Sequence, residues 1–422
     1  MKVKKKKTNP NNILLQRFLL SLAILIFIRF GTLLPIPGVN HLHLNFFIQR
    51  HIFTKTLLST FSSSNVLVVG IFTLNIFPYI NASILMQLLV NLSPVLAKEQ
   101  KEGSSQGKRF ISLITRFITL GWAFIQSLSI AFYLKRALFD WNLILATEIV
   151  IWLTTGAMIV LWLSEIITEY GLGNGASLLI FTNIVSSFPN LIKRLIIENN
   201  ENLNFKSSLI IVLLLFIAIF GIVLLQESAR IIPLISSKQL NAPTNILYSS
   251  VKNNYIPLRF NQAGVMPIIL TTAVLVIPSY VSTLGFIPII TLPVFIKSSK
   301  IIYWVSYFVL ILLFSSIYST IVLNPKDISE QLQRMAVTIP GIRPGMATRI
   351  YLQQIMKRIT FIGAILLAVL ATLPNIIEEI LNISSFNGLG TTSLLILVGV
   401  ILDVSREAQS ILLSNIYNKM IK

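Results

Sequence analysis

The stretch from residue 71 to residue 92 is apolar and long enough to cross a membrane, yet a proline interrupts it. A crossing helix needs about 20 apolar residues. Pro78 lacks a backbone donor and disfavours helical geometry at Phe77, so we predict that a helix starts near Pro78 instead of passing through it. Polar residues then recur on this apolar helix, namely Asn81, Ser83 and Gln87.

Two interpretations of this interrupted stretch remain open. Lipid cannot satisfy the backbone groups that a break releases, so a broken polar element inside a membrane usually lines a cavity. Alternatively, it is a spanning helix kinked at Pro78 whose polar side chains only bond neighbouring helices. Ser83 and Gln87 are four residues apart and share a helix face, which fits either interpretation.

The composition of the whole chain supports a membrane setting. Apolar residues make up 54% of the 422 residues, charged residues only 12%, and the mean hydropathy is +0.79. Average soluble proteins contain about 25% charged residues, so this chain is predicted to cross a membrane many times. Cysteine is absent, which excludes disulfides and cysteine-ligated metals. His41, His43 and His51 share one hydrophilic stretch, and such a group is more often a solvated loop than a metal site.

Ten segments are apolar enough to be spans, which places both termini on one side of the membrane. They cover residues 13–34, 73–92, 110–134, 144–164, 175–192, 208–227, 263–284, 303–323, 359–380 and 391–413. The segments assigned to the inside carry more than twice as many lysines and arginines as those assigned to the outside. Positively charged loops stay on the cytoplasmic side, so both termini are predicted to be cytoplasmic, or stromal in an organelle.

A proline- and glycine-rich hexamer stands in the inside loop 324–358, reading Pro340-Gly341-Ile342-Arg343-Pro344-Gly345. The prolines restrict their own φ and bias the preceding residues towards extended geometry. The glycines permit tight turns on both sides. One interpretation is a rigid loop that holds one arginine at its tip, and the other is an ordinary turn with an incidental surface arginine.

A glycine cluster directly precedes the span that begins at residue 175, and it reads Gly171-Leu172-Gly173-Asn174-Gly175-Ala176-Ser177. A phosphate-binding loop is a poor interpretation, because no soluble strand precedes the cluster and no Walker-type lysine follows it. We predict instead a flexible helix start that brings the backbone close to the centre of the helix bundle.

Charged residues near the spans argue against two function classes. Glu148 lies near a membrane boundary, Glu165 and Glu169 are assigned to an inside loop, and Asp403 can pair with Arg406 three residues later. No carboxylate pair or histidine relay is predicted at mid-membrane, where an ion-coupled transporter normally places one. No nucleophile–base pair is visible either, which disfavours an intramembrane enzyme.

The motifs of the chain together resemble those of the SecY family, the channel subunits of the Sec protein-translocation complex, over essentially the whole length. They are Arg29-Phe30-Gly31, Pro35-Ile36-Pro37-Gly38, Phe77-Pro78-Tyr79-Ile80-Asn81-Ala82-Ser83-Ile84, Gln87-Leu88-Leu89, Lys101-Glu102-Gly103, the glycine cluster, Asn261-Gln262-Ala263-Gly264-Val265-Met266-Pro267, Asn324-Pro325 and the hexamer 340–345. Each motif alone is weak, but their order and spacing are specific.

The resemblance implies an all-α membrane protein of ten transmembrane helices in two inverted, pseudo-symmetric halves of five. The implied parts are a basic tail (1–12), an N-terminal half (13–192), an external hinge loop (193–206), a C-terminal half (207–413) with inside loops 228–262 and 324–358, and a C-terminal tail (414–422). The halves form an hourglass that a short plug helix, about residues 57–70, closes from outside.

The resemblance also implies the site residues. A ring of apolar side chains at the waist comprises Ile76, Ile80, Ala176, Ile180, Ile269 and Ile396. Asn81, Ser83 and Gln87 face a lateral gate, which their helix and the next span (110–134) form with the spans 263–284 and 303–323. Arg343, its flanking Pro340, Gly341, Pro344 and Gly345, and Arg259 form the surface for a motor or ribosome. No cofactor is implied.

The implied function is a passive channel, not an enzyme, that passes unfolded preproteins across the membrane and releases transmembrane segments sideways into lipid. Its implied partners are a SecE-like subunit, a SecG-like subunit, a SecA-type motor ATPase or the ribosome, precursors with signal sequences, and membrane lipid. The low alanine and glycine content and the high isoleucine, asparagine and lysine content indicate an AT-rich genome, so a plastid thylakoid location is expected, with a bacterial plasma membrane as the alternative.

Two departures from the family pattern and two other function classes are also noted. Ala176 stands where the family favours a larger aliphatic residue, and the loop 228–262 lacks the paired arginines of bacterial members near Asn245-Ile246-Leu247-Tyr248. The other classes are a secondary transporter with inverted repeats and an insertion scaffold without a conducting pore.

Overall fold

The computed structural model describes most of the apolar core of the chain. It covers residues 10–37, 70–93, 96, 105–135, 142–186, 189, 205–236, 254–262, 264, 266–268, 270–271, 274, 300–322, 324–381 and 391–420. The helices are α1 (Pro10–Leu33), α2 (Phe77–Leu92), α3 (Ser105–Leu134), α4 (Leu143–Tyr170), α5 (Gly175–Ser186), α6 (Phe205–Glu227), α7 (Lys300–Val322), α8 (Pro325–Arg334), α9 (Met346–Leu381) and α10 (Thr391–Met420). The strands are β1 (Ala229–Pro233), β2 (Ile235–Ser236), β3 (Tyr255–Arg259) and β4 (Val337–Thr338).

Four of the described helices are long and apolar enough to cross a membrane: Leu14–Leu33, Arg109–Phe132, Leu143–Tyr170 and Met346–Thr372. Their outward faces carry large apolar side chains, of which Phe117 on α3 is 75% exposed. Such faces suit lipid, because hydrocarbon solvates them where water does not. The predicted number of ten spans stays a prediction, since several of those segments lie partly outside the described residues.

The chain divides into two compact units, one of residues 1–195 with 400–422 and one of residues 196–399. In the first unit α3 packs against α2 and α4. Its core includes Leu74, Ile149 and Leu153, none of which is exposed to solvent. Gly156 on α4 lies so close to the segment before α2 that a Cβ there would overlap the carbonyl oxygen of Ile71.

In the second unit α9 packs against α6, α7 and α8. The inside loops that we predicted as 228–262 and 324–358 contain the four strands. β1 pairs antiparallel with β3 within the first loop, while β2 pairs with β4 and so joins one loop to the other. The all-α fold class was predicted, and within the described residues the four short strands of these two loops depart from it.

The predicted loop 324–358 is largely helical, which corrects the expectation. α8 lies within it and α9 already begins at Met346, well before the predicted span at 359. This first part of α9 carries more charged and polar residues than the part that follows, and its apolar residues follow helical spacing. Leu352, Ile355, Met356 and Ile359 are all buried, in a cluster shared with Ile232 and Leu258 of the β1–β3 hairpin.

The assignment of Glu165 and Glu169 to a loop is wrong, because α4 continues to Tyr170. Arg116 binds the carboxylate of Glu165 through two nitrogens. Its Nε donates to Oε1 at 3.0 Å and its Nη2 donates to Oε2 at 2.9 Å. This bidentate pair joins α3 to α4 and lets the helix carry a carboxylate beyond its apolar part. The predicted pairing of Asp403 with Arg406 is confirmed, at 3.5 Å.

Candidate functional site

The break before α2 is a hydrogen-bonded turn and not a helical segment. The backbone N–H of Thr73 donates to Gly70, and that of Asn75 donates to Phe72. α2 then begins at Phe77, with Pro78 in its first turn, where a missing N–H does no harm. The predicted helix start at Pro78 is therefore confirmed.

The proposed ring residues of the first unit lie on two elements. Ile76 ends the turn and Ile80 lies one helical turn later on α2, and both are buried, Ile76 at 1% exposure. Ala176 and Ile180 lie on α5, four residues apart, and are half-buried. Ile396 lies in the part of α10 that belongs to the second unit, and Ile269 is outside the described residues.

The glycine cluster before α5 is held by hydrogen bonds, so the predicted flexible start is wrong. Gly173 has a φ of +89°, which a side chain rarely adopts, and its N–H donates to Oε2 of Glu407 on α10 at 2.8 Å. The N–H of Gly175 donates to the hydroxyl of Thr168, and that of Ala176 to Oδ1 of Asn174. These acceptors satisfy amides that a helix start otherwise leaves without partners.

Glycine at position 175 allows the start of α5 to pack closely against the backbone of α4. A Cβ there would overlap the carbonyl oxygen of Ser164 on α4. The cluster thus sets α5, and with it Ala176 and Ile180, at a fixed position against α4. Sequence reasoning had missed Glu407 and Thr168, because neither residue stands near the cluster motif.

We predict that Glu407→Ala destabilises the first unit by about 1.5–3 kcal/mol, the usual worth of a hydrogen bond to a charged group. The substitution leaves the Gly173 amide without its carboxylate partner, whereas Glu407→Gln retains an acceptor and is expected to lose less. Thermal unfolding of the purified protein in detergent measures the difference. Asp403→Asn is the matched control on the same helix, since its carboxylate is 73% exposed and its pair with Arg406 is worth at most about 1 kcal/mol. Equal stability of Glu407→Ala and wild type would contradict the prediction.

The three polar residues of α2 do not act alike. The hydroxyl of Ser83 donates to the carbonyl of Ile80 within the same helix, at 2.9 Å. Ser83 therefore needs no partner from a neighbouring helix. Asn81 and Gln87 are half-buried and lie on different faces of α2, six residues apart. They remain the candidates for contacts that differ between states of a gate.

The loop that carries Arg343 is anchored at both ends. Gly341 and Gly345 have φ values of +78° and +99°, which the sequence anticipated as tight turns. The N–H of Ile342 donates to the carbonyl of buried Ile339, and the hydroxyl of Thr348 donates to the carbonyl of Arg343 at 2.8 Å. The Arg343 side chain is exposed and forms no hydrogen bond or ion pair with the described part of the chain.

Arg259 belongs to the same surface-loop region of the second unit. It is the last residue of β3, is exposed, and pairs in register with Ala229 of β1. The neighbouring Leu258 is buried in the cluster that also holds Ile339 and α9. One apolar core therefore fixes both arginine-bearing loops.

A protein-family profile described as SecY matches residues 70–405, a range that includes both proposed ring elements of the first unit and the Arg343 loop. The chain belongs to the SecY family. The relative "Protein translocase subunit SecY" of Trieres chinensis is 66% identical over 98% of this chain and 99% of its own length. Relatives of the same name from Porphyra purpurea (43%) and Synechocystis sp. (38%) each cover 96% of this chain, and 98% and 94% of their own length.

Solved structures confirm the predicted SecY fold. The chain described as "The structure of a protein conducting channel" has a TM-score of 0.65 at 17% identity and covers 94% of this chain, with 92% of its own length matched. "Sec61 in the Canine ribosome-channel complex from the endoplasmic reticulum" has a TM-score of 0.59 at 15% identity, with the same coverage. The expectation of a translocase subunit instead of an enzyme agrees with the name that the SecY relatives share.

Proposed function

We propose that this SecY-family chain forms the central pore of a Sec translocon, passing unfolded preproteins across its membrane and releasing transmembrane segments into lipid. The supporting observation is the broken element before α2. The apolar Ile76 ends its hydrogen-bonded turn, the apolar Ile80 follows on α2, and both are buried in the first unit. An apolar constriction excludes water and ions by dewetting when no chain passes. It also contacts a moving polypeptide without binding any one side chain tightly.

The rest of the pore is part of the same proposal. The proposed ring also includes Ile269 and Ile396 of the C-terminal half (207–413), in addition to the four residues of the N-terminal half (13–192). Of the proposed plug at about 57–70, all but Gly70 lies outside the described residues. Of the proposed hinge at 193–206, the structure describes only residues 205 and 206, which already belong to α6. Ala176, which is smaller than the usual aliphatic residue, would leave its side of the waist wider.

Reconstituted proteoliposomes test this function. With an added SecA-type motor and ATP, a signal-bearing precursor is expected to become protected from external protease, and without the motor it is not. A secondary transporter, the alternative class, would instead carry a small solute with saturable flux and would protect no precursor. An insertion scaffold would integrate membrane segments without protecting soluble precursors.

The proposed binding surface for a motor or a ribosome lies in the second unit. The exposed guanidinium of Arg343, on a loop fixed by the buried cluster, is suited to bind carboxylates or phosphates of a SecA-type motor or a ribosome. A ribosome-bound relative of the same fold supports the ribosome as a partner. A SecE-like subunit and a SecG-like subunit would complete the complex within the lipid.

A plastid thylakoid membrane is the proposed location, with both termini in the stroma. The 66% identity to the Trieres chinensis relative and the cyanobacterial match at 38% support it, together with the isoleucine-, asparagine- and lysine-rich composition. A bacterial plasma membrane is the alternative.

We predict that Asn81→Leu or Gln87→Leu shifts the balance between closed and open gate by about 0.6–2 kcal/mol, the range of interhelical hydrogen bonds in membranes. Either change replaces a half-buried amide of α2 by an apolar side chain. The measurement is export of precursors whose signal sequences are weakened. Ser83→Ala is the matched control, because among the described residues its hydroxyl bonds only the carbonyl of Ile80 in its own helix. Export equal to wild type in both leucine variants would remove the gate role of Asn81 and Gln87.

A further inference from the structure

An amide pair links the two elements that carry proposed ring residues in the first unit. Nδ2 of Asn75 donates to Oδ1 of Asn183 at 2.9 Å. Asn75 directly precedes Ile76, and Asn183 lies three residues after Ile180 on α5. Residues three apart share a helix face, so the pair joins the start of α2 to the face of α5 that carries Ile180.

The conformation of Asn75 fits this link. Its φ is +48°, in the left-handed region, where asparagine is the residue other than glycine that costs least. Its Oδ1 accepts from the N–H of Ile76 at 2.8 Å, and its backbone N–H donates to Phe72 at 3.0 Å. Thus the oxygen of the side-chain amide is bound to the start of α2 and the nitrogen to α5, which fixes its orientation.

The surroundings make the pair hard to separate. Asn75 is 2% exposed, so few alternative partners can reach its amide. A buried polar group that loses its partner is costly, and within a membrane there is little water to replace it. The pair therefore favours the arrangement in which α2 and α5 stay together.

We propose that Asn75 and Asn183 are positioning residues that hold Ile76, Ile80 and Ile180 in the closed arrangement of the waist. This inference rests on the proposed pore function. Neither asparagine contacts the passing polypeptide in this proposal; both act through the isoleucines beside them. Loss of the pair lets α2 and α5 separate, so water enters the constriction and ions leak through the resting channel.

Resting ion conductance of the reconstituted complex in planar bilayers tests the proposal. Asn75→Gly keeps the left-handed backbone and removes the amide, and Asn183→Ala removes the acceptor. Each is expected to raise resting conductance by about 3- to 20-fold, the factor that one interhelical hydrogen bond gives. The double variant is expected to leak no more than the leakier single one, because both remove the same bond. Ser129→Ala on α3, an exposed serine whose hydroxyl donates to the carbonyl of Ile125 in the same helix, is expected to behave as wild type.

The outcomes separate this inference from the pore function itself. Wild-type conductance in both asparagine variants, alongside leakage in Ile80→Ser and Ile180→Ser, would overturn the positioning role and leave the ring in place. Wild-type conductance in all four variants would overturn the ring, and the positioning role with it. Additive leakage in the double variant would also overturn the link, since the two residues would then act independently.

A distance measurement gives a second readout that does not depend on conductance. The chain contains no cysteine, so Leu89→Cys on α2 and Val185→Cys on α5 can be spin-labelled without background, and both positions are exposed. A single narrow distance is expected with wild-type Asn75, and a broader or longer one with Asn75→Gly. An unchanged distance would overturn the proposal. If Asn183→Ala does not yield folded protein, Asn183→Ser replaces it in both experiments.

Discussion

Arg343→Glu is expected to abolish partner-driven translocation while membrane insertion, assembly and resting conductance stay near wild type. The side chain is exposed and its backbone is held by Thr348 and the turns at Gly341 and Gly345, so the substitution changes the charge and not the loop. A carboxylate there repels the acidic or phosphate groups that a guanidinium binds. ATP-dependent precursor import into vesicles, measured with motor or ribosome binding, shows the effect.

Two further variants show whether the loss of import in Arg343→Glu comes from the guanidinium group at this position. Arg343→Lys keeps the charge but loses the bidentate geometry, so an intermediate import rate is expected. Arg334→Glu, an exposed arginine at the end of α8 in the same unit, is the matched control and is expected to retain more import than Arg343→Glu. Wild-type import by Arg343→Glu would contradict the partner role. Degraded or mis-inserted Arg343→Glu protein would instead show that the arginine stabilises its own loop.

Ile80→Ser together with Ile180→Ser is expected to make the resting channel conduct ions. Burying one isoleucine is worth about 1.5–3 kcal/mol, and each ~1.4 kcal/mol changes an equilibrium tenfold. A hydroxyl also stabilises water in the constriction. An increase in resting conductance on the order of tenfold or more is therefore expected.

Planar-bilayer recording measures this conductance. Ile151→Ser on α4 is the control, because that isoleucine is exposed on an outward face and the chemical change is the same. It is expected to leave the resting channel closed. Unchanged conductance in the Ile80 and Ile180 variants would contradict the ring assignment.

The backbone preferences of proline and glycine predicted the parts of the site that depend only on residues adjacent in sequence. Pro78 placed the start of α2, because a missing N–H acts on its own turn. Gly341 and Gly345 adopt positive φ, as expected for the predicted tight turns, because glycine has no Cβ to oppose that conformation. The motif series gave the family and fold, since the order of many weak motifs is more specific than any one of them.

The contacts that position the ring could not be predicted in this way. Asn75 bonds Asn183, 108 residues later, and Gly173 bonds Glu407, 234 residues later. Asparagine and glutamate have many possible partners, and the sequence gives no signal that selects one. The predicted ends of two spans were wrong for a related reason, because the helices extend beyond their apolar segments. The Arg116–Glu165 pair stabilises the extension of α4, and a buried amphipathic face stabilises that of α9.

Photo-crosslinking of a translocating chain tests most directly the claim that a polypeptide passes through this ring. A photoreactive residue is placed at Ile80 or Ile180, and at Phe117 as the outward-facing control. With a precursor arrested during transport, we predict crosslinks at positions 80 and 180 that require ATP and the motor, and none at 117. Crosslinking no stronger at 80 and 180 than at 117 would contradict the account.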